Sequence, residues 1–168
     1  MMASTALLIG CGMAVIACAL ASGFFLTFSD FVMDSLGAAR PASGIESMQE
    51  INRKALGSGI IRMLWCMLVG ALLLIAFGTF LGPGYALAWI VAGGALYFVG
   101  VYVVTFRFNI PMNERLDEMD FQAEATEAYW RSSYLPSWTF WNSIRAFMTG
   151  GSAICYLVAV VMLAGMTD

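Results

Sequence analysis

Three long stretches of the sequence contain no charged residue, namely residues 1–29, 63–106 and 146–167. Each stretch is at least as long as a bilayer-spanning helix, which needs about 20 residues. The middle stretch is long enough for two crossings, and Gly82-Pro83-Gly84 lies near its centre. Proline removes a helix donor and glycine permits a tight reversal. The sequence therefore predicts four membrane-spanning helices, of which the second and third form a hairpin.

Composition favours the same fold class, since 61% of the residues are hydrophobic and only 11% are charged. A soluble domain could not hide that much apolar surface. We therefore predict one all-α domain over residues 1–168, an integral membrane antiparallel four-helix bundle whose partner is the lipid bilayer. The predicted spans are residues 5–29, 56–81, 85–107 and 137–166, and the first span can continue to Leu36.

The first and third connections carry amphipathic patterns at helical spacing, over residues 43–56 and 114–133. We predict a short surface helix in each connection. Asn109-Ile110-Pro111-Met112-Asn113 separates the second pattern from the third span. Proline disfavours helix at the residue before it, and asparagine is a frequent N-cap. We therefore expect a helix break at Pro111, with Asn113 capping the helix that follows.

The placement of the basic residues predicts the orientation in the membrane. All eight lie in, or at the edge of, the first and third connections. The positive-inside bias then puts these two connections in the cytoplasm, with both termini outside. Ala19-Leu20-Ala21 resembles a signal-peptide cleavage site, but no Lys or Arg precedes the apolar run. We therefore expect an uncleaved first helix.

Charge and residue usage exclude several classes of function. The net charge of −3 argues against nucleic acid as a partner, which demands a clustered basic surface. The chain has no histidine, its four cysteines form no Cys-x-x-Cys pair, and its twelve methionines are scattered as in apolar packing. We expect no metal site and no cofactor. The patterns predict no particular oligomeric state.

Polar residues concentrate near the predicted cytoplasmic ends of the helices, which meet on one side of an antiparallel bundle. The group consists of Asp30, Asp34, Asn52, Arg62, Asn109, Asn113, Trp138, Trp141, Asn142 and Arg145. Polar groups beside hydrocarbon are costly unless they find partners, so such a cluster is a candidate site. The alternative is structural: Asn113 caps a helix, the tryptophans belong to the interfacial belt and Arg145 snorkels to water.

Four segments of the sequence resemble those of a known family. They are Gly23–Met33, Met48–Asn52, Thr105–Asn113 and Trp138–Arg145, which include Asn-x-Pro-x-Asn and Trp-Asn-x-x-Arg elements. Together they resemble the bacterial branch of the anthrone oxygenase-like membrane family, which implies a bacterial inner-membrane location. Fungal relatives are associated with cofactor-free oxidation of polyketide anthrones to anthraquinones, whereas most similar bacterial members have no assigned substrate. The resemblance implies a site at Asp30, Asn52, Asn109, Asn113, Trp141, Asn142 and Arg145.

Such chemistry needs an apolar aromatic slot, a base for a carbon-bound proton and donors for the developing oxyanion. The ligand would be a planar aromatic or phenolic molecule. We expect Asp30, in a buried setting, to be the base, and Arg145 with Asn109 or Asn142 to hold the oxyanion. The slot would be lined by aromatic side chains and completed by two amides, namely Phe24, Phe28, Phe106, Trp138 and Trp141, with Asn52 and Asn113.

Two other functions compete with an oxygenase. One is a non-catalytic membrane subunit, in which the polar cluster docks a partner or stabilises the bundle. The other is a transporter, which the absence of paired broken helices and of midplane charges disfavours. Enclosure separates the first alternative from an enzyme: an enzyme needs a cavity of about 300 Å³ or more, whereas a docking subunit should pair Arg145 with Asp30 and leave no void.

Overall fold

A computed structural model describes the backbone of residues 2–165 and the side chains of residues 4–165. Throughout that range the regular structure is helical. We number five helices in chain order, counting helical segments that continue into one another as one helix. They are α1 (Met2–Thr27, Phe28–Val32 and Met33–Ala38), α2 (Pro41–Ala55), α3 (Gly59–Leu81), α4 (Ala86–Tyr97, Phe98–Val103, Thr105–Asn109 and Ile110–Asp117) and α5 (Glu124–Tyr129, Trp130–Tyr134 and Leu135–Ala164).

Four of these helices, α1, α3, α4 and α5, are long and apolar enough to cross a membrane. The all-α integral membrane bundle predicted from the sequence is thereby confirmed. Helix α5 packs along both α1 and α4, and α3 completes the bundle against α1 and α4. Gly82 and Gly84 both have a φ of +60°, which glycine adopts without a steric cost, and they form the predicted turn between α3 and α4.

Small residues at four-residue spacing on α1, namely Gly10, Ala14, Cys18 and Ser22, allow its neighbours to pack closely. A Cβ on Gly10 would lie 2.7 Å from the Leu74 side chain of α3. Further along α1, the Cys18 sulfur lies 3.3 Å from the Ser152 hydroxyl of α5. The Ser22 hydroxyl donates to the Ala146 carbonyl at 2.8 Å. These small residues therefore contact two neighbouring helices: Gly10 faces α3, and Cys18 and Ser22 face α5.

The helix break expected at Pro111 is wrong. Helix α4 continues through Asn109 and Pro111 to Asp117. The turns before the proline are π-helical, and Pro111 lies in the first turn of the segment that follows them, where a missing backbone donor is tolerated. Asn113 is therefore inside a helix and does not cap one.

Three other boundaries differ from the predicted spans. Helix α5 begins at Glu124, well before residue 137, so the amphipathic stretch 114–133 is divided between the end of α4 and the start of α5. Helix α1 continues to Ala38, and α3 begins at Gly59 after an N-cap by Ser58. The surface helix in the first connection is confirmed as α2. The predicted end at Met166 lies outside the described residues, among which α5 ends at Ala164.

The extended helix ends form a second layer, which we call the cap layer. It consists of residues 33–38 of α1, helix α2, residues 110–117 of α4 and residues 124–134 of α5. Its core contains Met33, Ile45, Met48, Leu116, Trp130, Tyr134 and Trp138. The buried Gln49 side chain donates to the Leu116 and Met119 carbonyls at 2.7 and 2.9 Å, which satisfies the C-terminal end of α4. The cap layer thereby closes one end of the bundle.

Candidate ligand cavity

A cavity of about 310 Å³ lies where the bundle meets the cap layer. All five helices contribute to its wall. Most residues of the sequence-predicted site line it, namely Phe24, Phe28, Asn52, Phe106, Asn109, Asn113, Trp138, Asn142 and Arg145. The cavity reaches from the polar cluster into the aromatic side chains, as the sequence analysis requires of an enzyme.

Helical spacing explains why these residues converge. On α5, Trp138, Asn142 and Arg145 recur at intervals of four and three residues and share one face. On α4, Asn109 and Asn113 are likewise four residues apart. The π-helical turns at Phe28–Val32 of α1, and at Phe98–Val103 and Thr105–Asn109 of α4, contribute lining residues. Such turns frequently occur at functional sites, because they change which residues face inward.

Arg145 is a buried cation with no carboxylate partner in the described part of the chain. Its side chain is inside the bundle, with 8% of the residue exposed. The guanidinium carbon lies 4.0 Å from the centre of the Phe25 ring, and Nη1 donates to Asn142 Oδ1 at 3.4 Å. Nε is fully enclosed without a partner. Nη2 also has no partner among the described residues and is not fully enclosed, and Arg145 lines the cavity.

Asn142 holds this guanidinium in place. Its Nδ2 donates to the Phe25 carbonyl at 2.6 Å and to the Ser29 hydroxyl at 2.7 Å. Because both acceptors belong to α1, the amide oxygen must face the opposite way, toward Arg145. The hydrogen bonds therefore fix the amide orientation of Asn142 and turn its donor away from the cavity.

Asn109 is also unavailable as a donor to a ligand. The residue is 1% exposed, and its Nδ2 faces the Trp138 carbonyl at 3.5 Å. Its Oδ1 is enclosed and has no partner within the described range. The sequence predicts that Asn109 or Asn142 shares an oxyanion with Arg145. In the structure both amide nitrogens already donate to protein acceptors, so Arg145 is the charged donor at this end.

Asp30 and Trp141 do not line the cavity. The expectation that Asp30 is buried is wrong: it lies exposed on α1, between Phe28 and Met33, which face inward. Trp141 is one residue from the inward face of α5 and stacks instead on Phe108, with ring centres 3.5 Å apart. Asp34 and Arg62 are exposed as well. Within the described residues, the lining of the cavity contains no carboxylate.

The end of the cavity at the cap layer carries a second set of polar groups. The Tyr134 hydroxyl and Trp138 Nε1 both donate to Asn113 Oδ1, at 2.8 and 2.9 Å. Asn52 Nδ2 donates to the same Tyr134 hydroxyl at 3.3 Å. This end carries no charge, in contrast to the end at Arg145.

Sequence reasoning missed Tyr134 and Phe25. Tyr134 lies four residues before Trp138, so it would have been found if α5 had been predicted to begin at Glu124. Phe25 follows Cys18 by seven residues and therefore shares its inward face, but three phenylalanines occur close together and spacing alone does not single it out. Phe25 contributes both its ring and its carbonyl to the site.

The cavity extends to the lipid-facing surface of the bundle. Trp65 and Phe106 both line it and are 49% and 56% exposed. Both belong to the uncharged middle stretch of the sequence, so the surface around the mouth is apolar. A larger groove of about 600 Å³ lies between α1 and α3, but no charged residue lines it. The smaller cavity is the candidate site because it combines an unpartnered cation with aromatic walls.

Comparison with known families identifies the family of the chain. The sequence model of a family described as anthrone oxygenase matches residues 53–155. The matched region includes α3, α4 and most of α5, and therefore the cavity residues from Asn109 to Arg145. Searches of curated proteins and of solved structures found no match.

Proposed function

Because the chain belongs to the anthrone oxygenase family, we propose that it oxidises a planar, apolar phenolic molecule with dioxygen in the cavity lined by Arg145. One observation supports this proposal above the others. A buried cation is costly unless an anion compensates it, and no protein carboxylate does so in the described part of the chain. An ionised phenolic oxygen on a ligand would supply the missing charge.

The reaction that fits this site starts from an acidic benzylic CH₂ group conjugated with an aryl oxygen. Loss of one proton gives a carbanion whose charge is delocalised onto that oxygen. Dioxygen then takes up electrons from the carbanion and bonds to the carbon, which gives a hydroperoxide after protonation. Loss of water from the hydroperoxide leaves a carbonyl group. In sum, CH₂ and O₂ become C=O and H₂O, and both oxygen atoms and all four electrons are accounted for.

The protein's contribution is to bind and stabilise the anion. Arg145 Nη2 donates a charge-assisted hydrogen bond to the delocalised oxygen, and the low polarity of the walls strengthens it. Since no carboxylate lines the described cavity, we propose that the substrate releases its proton to water and binds in its ionised form. The aromatic side chains Phe28 and Trp138, whose ring centres are 6.0 Å apart, hold the planar ring system.

The competing function of a docking subunit gains no support from the geometry. It requires Arg145 to pair with Asp30 without a void between them. Asp30 is exposed instead, and a cavity of about 310 Å³ adjoins Arg145. A cavity of this size lies at the lower end of the range for small-molecule sites.

The orientation in the membrane belongs to the same proposal. The basic residues cluster in the cap layer and beside it, so the positive-inside bias puts the cap layer on the cytoplasmic side of a bacterial inner membrane. The cavity then opens toward the cytoplasmic leaflet. Protease protection of the turn at Gly82–Gly84 in sealed inside-out vesicles tests this orientation.

The proposal is tested by dioxygen uptake of the purified protein with anthrone, corrected for the spontaneous oxidation of anthrone. Arg145→Met preserves much of the side-chain volume and removes the charge. We expect kcat to fall about 100-fold or more, as for the loss of an oxyanion donor. Arg131→Gln is the matched control, since Arg131 is exposed and pairs only with Glu127 on the surface. Turnover that survives in folded Arg145→Met protein would contradict the proposal.

A further inference from the structure

The end of the cavity opposite Arg145 contains two amides with one unused atom each. We infer that Asn52 and Asn113 together recognise a neutral hydroxyl group on the same ligand whose ionised oxygen binds Arg145. The inference rests on the proposed function, because it concerns a second substituent of the proposed phenolic substrate. It adds a specificity element to the site.

The orientation of the Asn113 amide follows from its partners. Trp138 Nε1 can only donate a hydrogen bond, and it lies 2.9 Å from the amide oxygen. The Tyr134 hydroxyl donates to the same oxygen at 2.8 Å. Exchanging the oxygen and nitrogen of Asn113 would set a donor against the indole N–H. The oxygen is therefore fixed toward these two residues, and Nδ2 is turned away from them.

The orientation of Asn52 follows from that of Asn113. The single hydroxyl proton of Tyr134 is used on Asn113 Oδ1, so the phenol oxygen can only accept from Asn52. Asn52 must present Nδ2 to Tyr134, at 3.3 Å, and its Oδ1 faces elsewhere. Asn52 and Asn113 both hydrogen-bond the Tyr134 hydroxyl, and this arrangement leaves Asn113 Nδ2 as a donor and Asn52 Oδ1 as an acceptor for other groups.

These two free atoms belong to residues that line the cavity. Neither Asn113 Nδ2 nor Asn52 Oδ1 has a hydrogen-bond partner among the described residues, and neither atom is fully enclosed. A purely structural network would satisfy its polar atoms within the protein. Here the shared hydroxyl and the amide oxygen of Asn113 are satisfied, and the open atoms are those that a ligand can reach. Water occupies such positions until a ligand replaces its hydrogen bonds.

One donor beside one acceptor is the complement of a hydroxyl group. A ligand hydroxyl can accept from Asn113 Nδ2 and donate to Asn52 Oδ1 at the same time. An ether or ketone oxygen satisfies only the first atom, and an ionised oxygen would be repelled by the second. A site that hydrogen-bonds a hydroxyl discriminates strongly against an analogue that lacks it, because its polar atoms are then left without partners.

The two ends of the cavity therefore recognise different oxygen groups, one ionised and one a neutral hydroxyl. Arg145 binds an ionised oxygen from the side of the bundle, and the two amides bind a neutral hydroxyl from the side of the cap layer. A ligand with one oxygen of each kind has a single favourable direction in the cavity. The ligand class is an aromatic molecule with at least two hydroxyl groups, of which one ionises.

Equilibrium binding to the purified protein without dioxygen tests this inference separately from turnover. The probes are 1-naphthol, the isomeric dihydroxynaphthalenes and their monomethyl ethers, and the readout is quenching of tryptophan fluorescence. We expect at least one dihydroxy isomer to bind about 10-fold or more tightly than 1-naphthol, and methylation of its second hydroxyl to abolish the gain.

Three variants complete the experiment. Asn52→Leu should reduce the dihydroxy-to-monohydroxy affinity ratio to about one without weakening 1-naphthol, whereas Asn52→Gln, which keeps both an amide donor and an amide acceptor, should retain more of the ratio. Ser133→Ala, at an exposed position beside Tyr134, is the control and should also retain it.

Equal affinities for all naphthols in the wild-type protein, or an unchanged ratio in Asn52→Leu, would overturn the inference while leaving the Arg145 site intact. Failure of every naphthol to bind would reject the proposed function, and this inference with it.

Discussion

Two groups of polar side chains in this molecule use their hydrogen-bonding atoms in different ways. The bundle network lies between the membrane-spanning helices and consists of Cys18, Ser22, Tyr97, Tyr102 and Ser152. The cavity network lies at the cap layer and consists of Asn52, Asn109, Asn113, Tyr134, Trp138, Asn142 and Arg145. Both contain buried donors. They differ in where those donors are directed.

The bundle network is directed almost entirely at backbone carbonyls. Tyr97 and Tyr102 both donate to the Leu64 carbonyl, at 2.8 and 3.0 Å. Ser152 donates to the Gly93 carbonyl at 2.7 Å. Polar groups in a bilayer that only need to be satisfied can find an acceptor in the backbone of a neighbouring helix, and such bonds hold helices together.

The cavity network instead leaves a cation, a donor and an acceptor open. Arg145 Nη2, Asn113 Nδ2 and Asn52 Oδ1 have no partner in the described part of the chain, are not fully enclosed and belong to residues that line the cavity. The comparison teaches that burial of polar residues alone does not identify a site. A site is distinguished by polar atoms that are oriented by saturated neighbours and then left without a partner.

The largest effect that follows from this difference concerns pH. Since Arg145 binds an ionised substrate and no carboxylate lines the described cavity, kcat/KM should follow the ionisation of the substrate. Below the substrate's own pKa the ionised fraction falls tenfold per pH unit, so kcat/KM should fall about 100-fold over two units and level off above the pKa.

The measurement is kcat/KM against pH for two anthrones that differ in acidity. The midpoint should shift with the substrate's pKa, to lower pH for the more acidic one. A midpoint that is the same for both substrates would mean that a base on the protein takes up the proton. The cavity would then not depend on an ionised ligand to compensate Arg145, and the two networks would not differ in this way.

A smaller effect, on stability, is expected from overpacking the contact between α4 and α5. A Cβ on Gly93 would lie 3.1 to 3.2 Å from the Tyr156 ring, and the Gly93 carbonyl is the acceptor for Ser152. We expect Gly93→Leu to destabilise the protein by about 1–3 kcal/mol through overpacking. Gly12→Leu is the control, since a Cβ there meets no atom within 4 Å.

The readout is thermal unfolding in detergent, followed by size-exclusion chromatography. Naphthol binding by the fraction that remains folded should be unchanged in Gly93→Leu, because neither Gly93 nor Tyr156 lines the cavity. Loss of binding at unchanged stability would show that the two networks are coupled.

The sequence predicts the bundle well because charge gaps and hydropathy depend on local composition. The four spans, the Gly82–Gly84 turn and the surface helix α2 follow from that signal. The cap layer is harder, because Pro111 and the polar stretch 114–133 locally indicate a break and a separate surface helix. Tertiary packing overrides both signals: π-helical turns accommodate the proline, and Leu116, Trp130 and Tyr134 become buried against α2.

The sequence predicts only part of the candidate site, because tertiary packing also decides which side chains face the cavity. Residue types and helical spacing identify Asn109, Asn113, Trp138, Asn142 and Arg145, which all line the cavity. Spacing does not give the rotation of α1 around its π-helical turn, so the sequence does not reveal that Asp30 faces outward. Nor does it reveal which way each amide points, since that depends on partners from other helices, such as the Phe25 carbonyl for Asn142.

The smallest predicted effect concerns a buried hydroxyl beside the bundle network, that of Tyr156. The Tyr156 hydroxyl is enclosed between α4 and α5 and has no hydrogen-bond partner within the described residues. Burying a polar group without a partner is unfavourable, so Tyr156→Phe should leave stability unchanged or raise it, by up to about 1 kcal/mol. Ser152→Ala, which removes a satisfied donor in the same layer, should lower it by about 1 kcal/mol. The melting temperature of Ser152→Ala should therefore lie below those of both the wild type and Tyr156→Phe, compared in one detergent. A clear loss of stability in Tyr156→Phe would mean that this hydroxyl has a partner in the membrane, such as an ordered water, and that the bundle network is closed throughout.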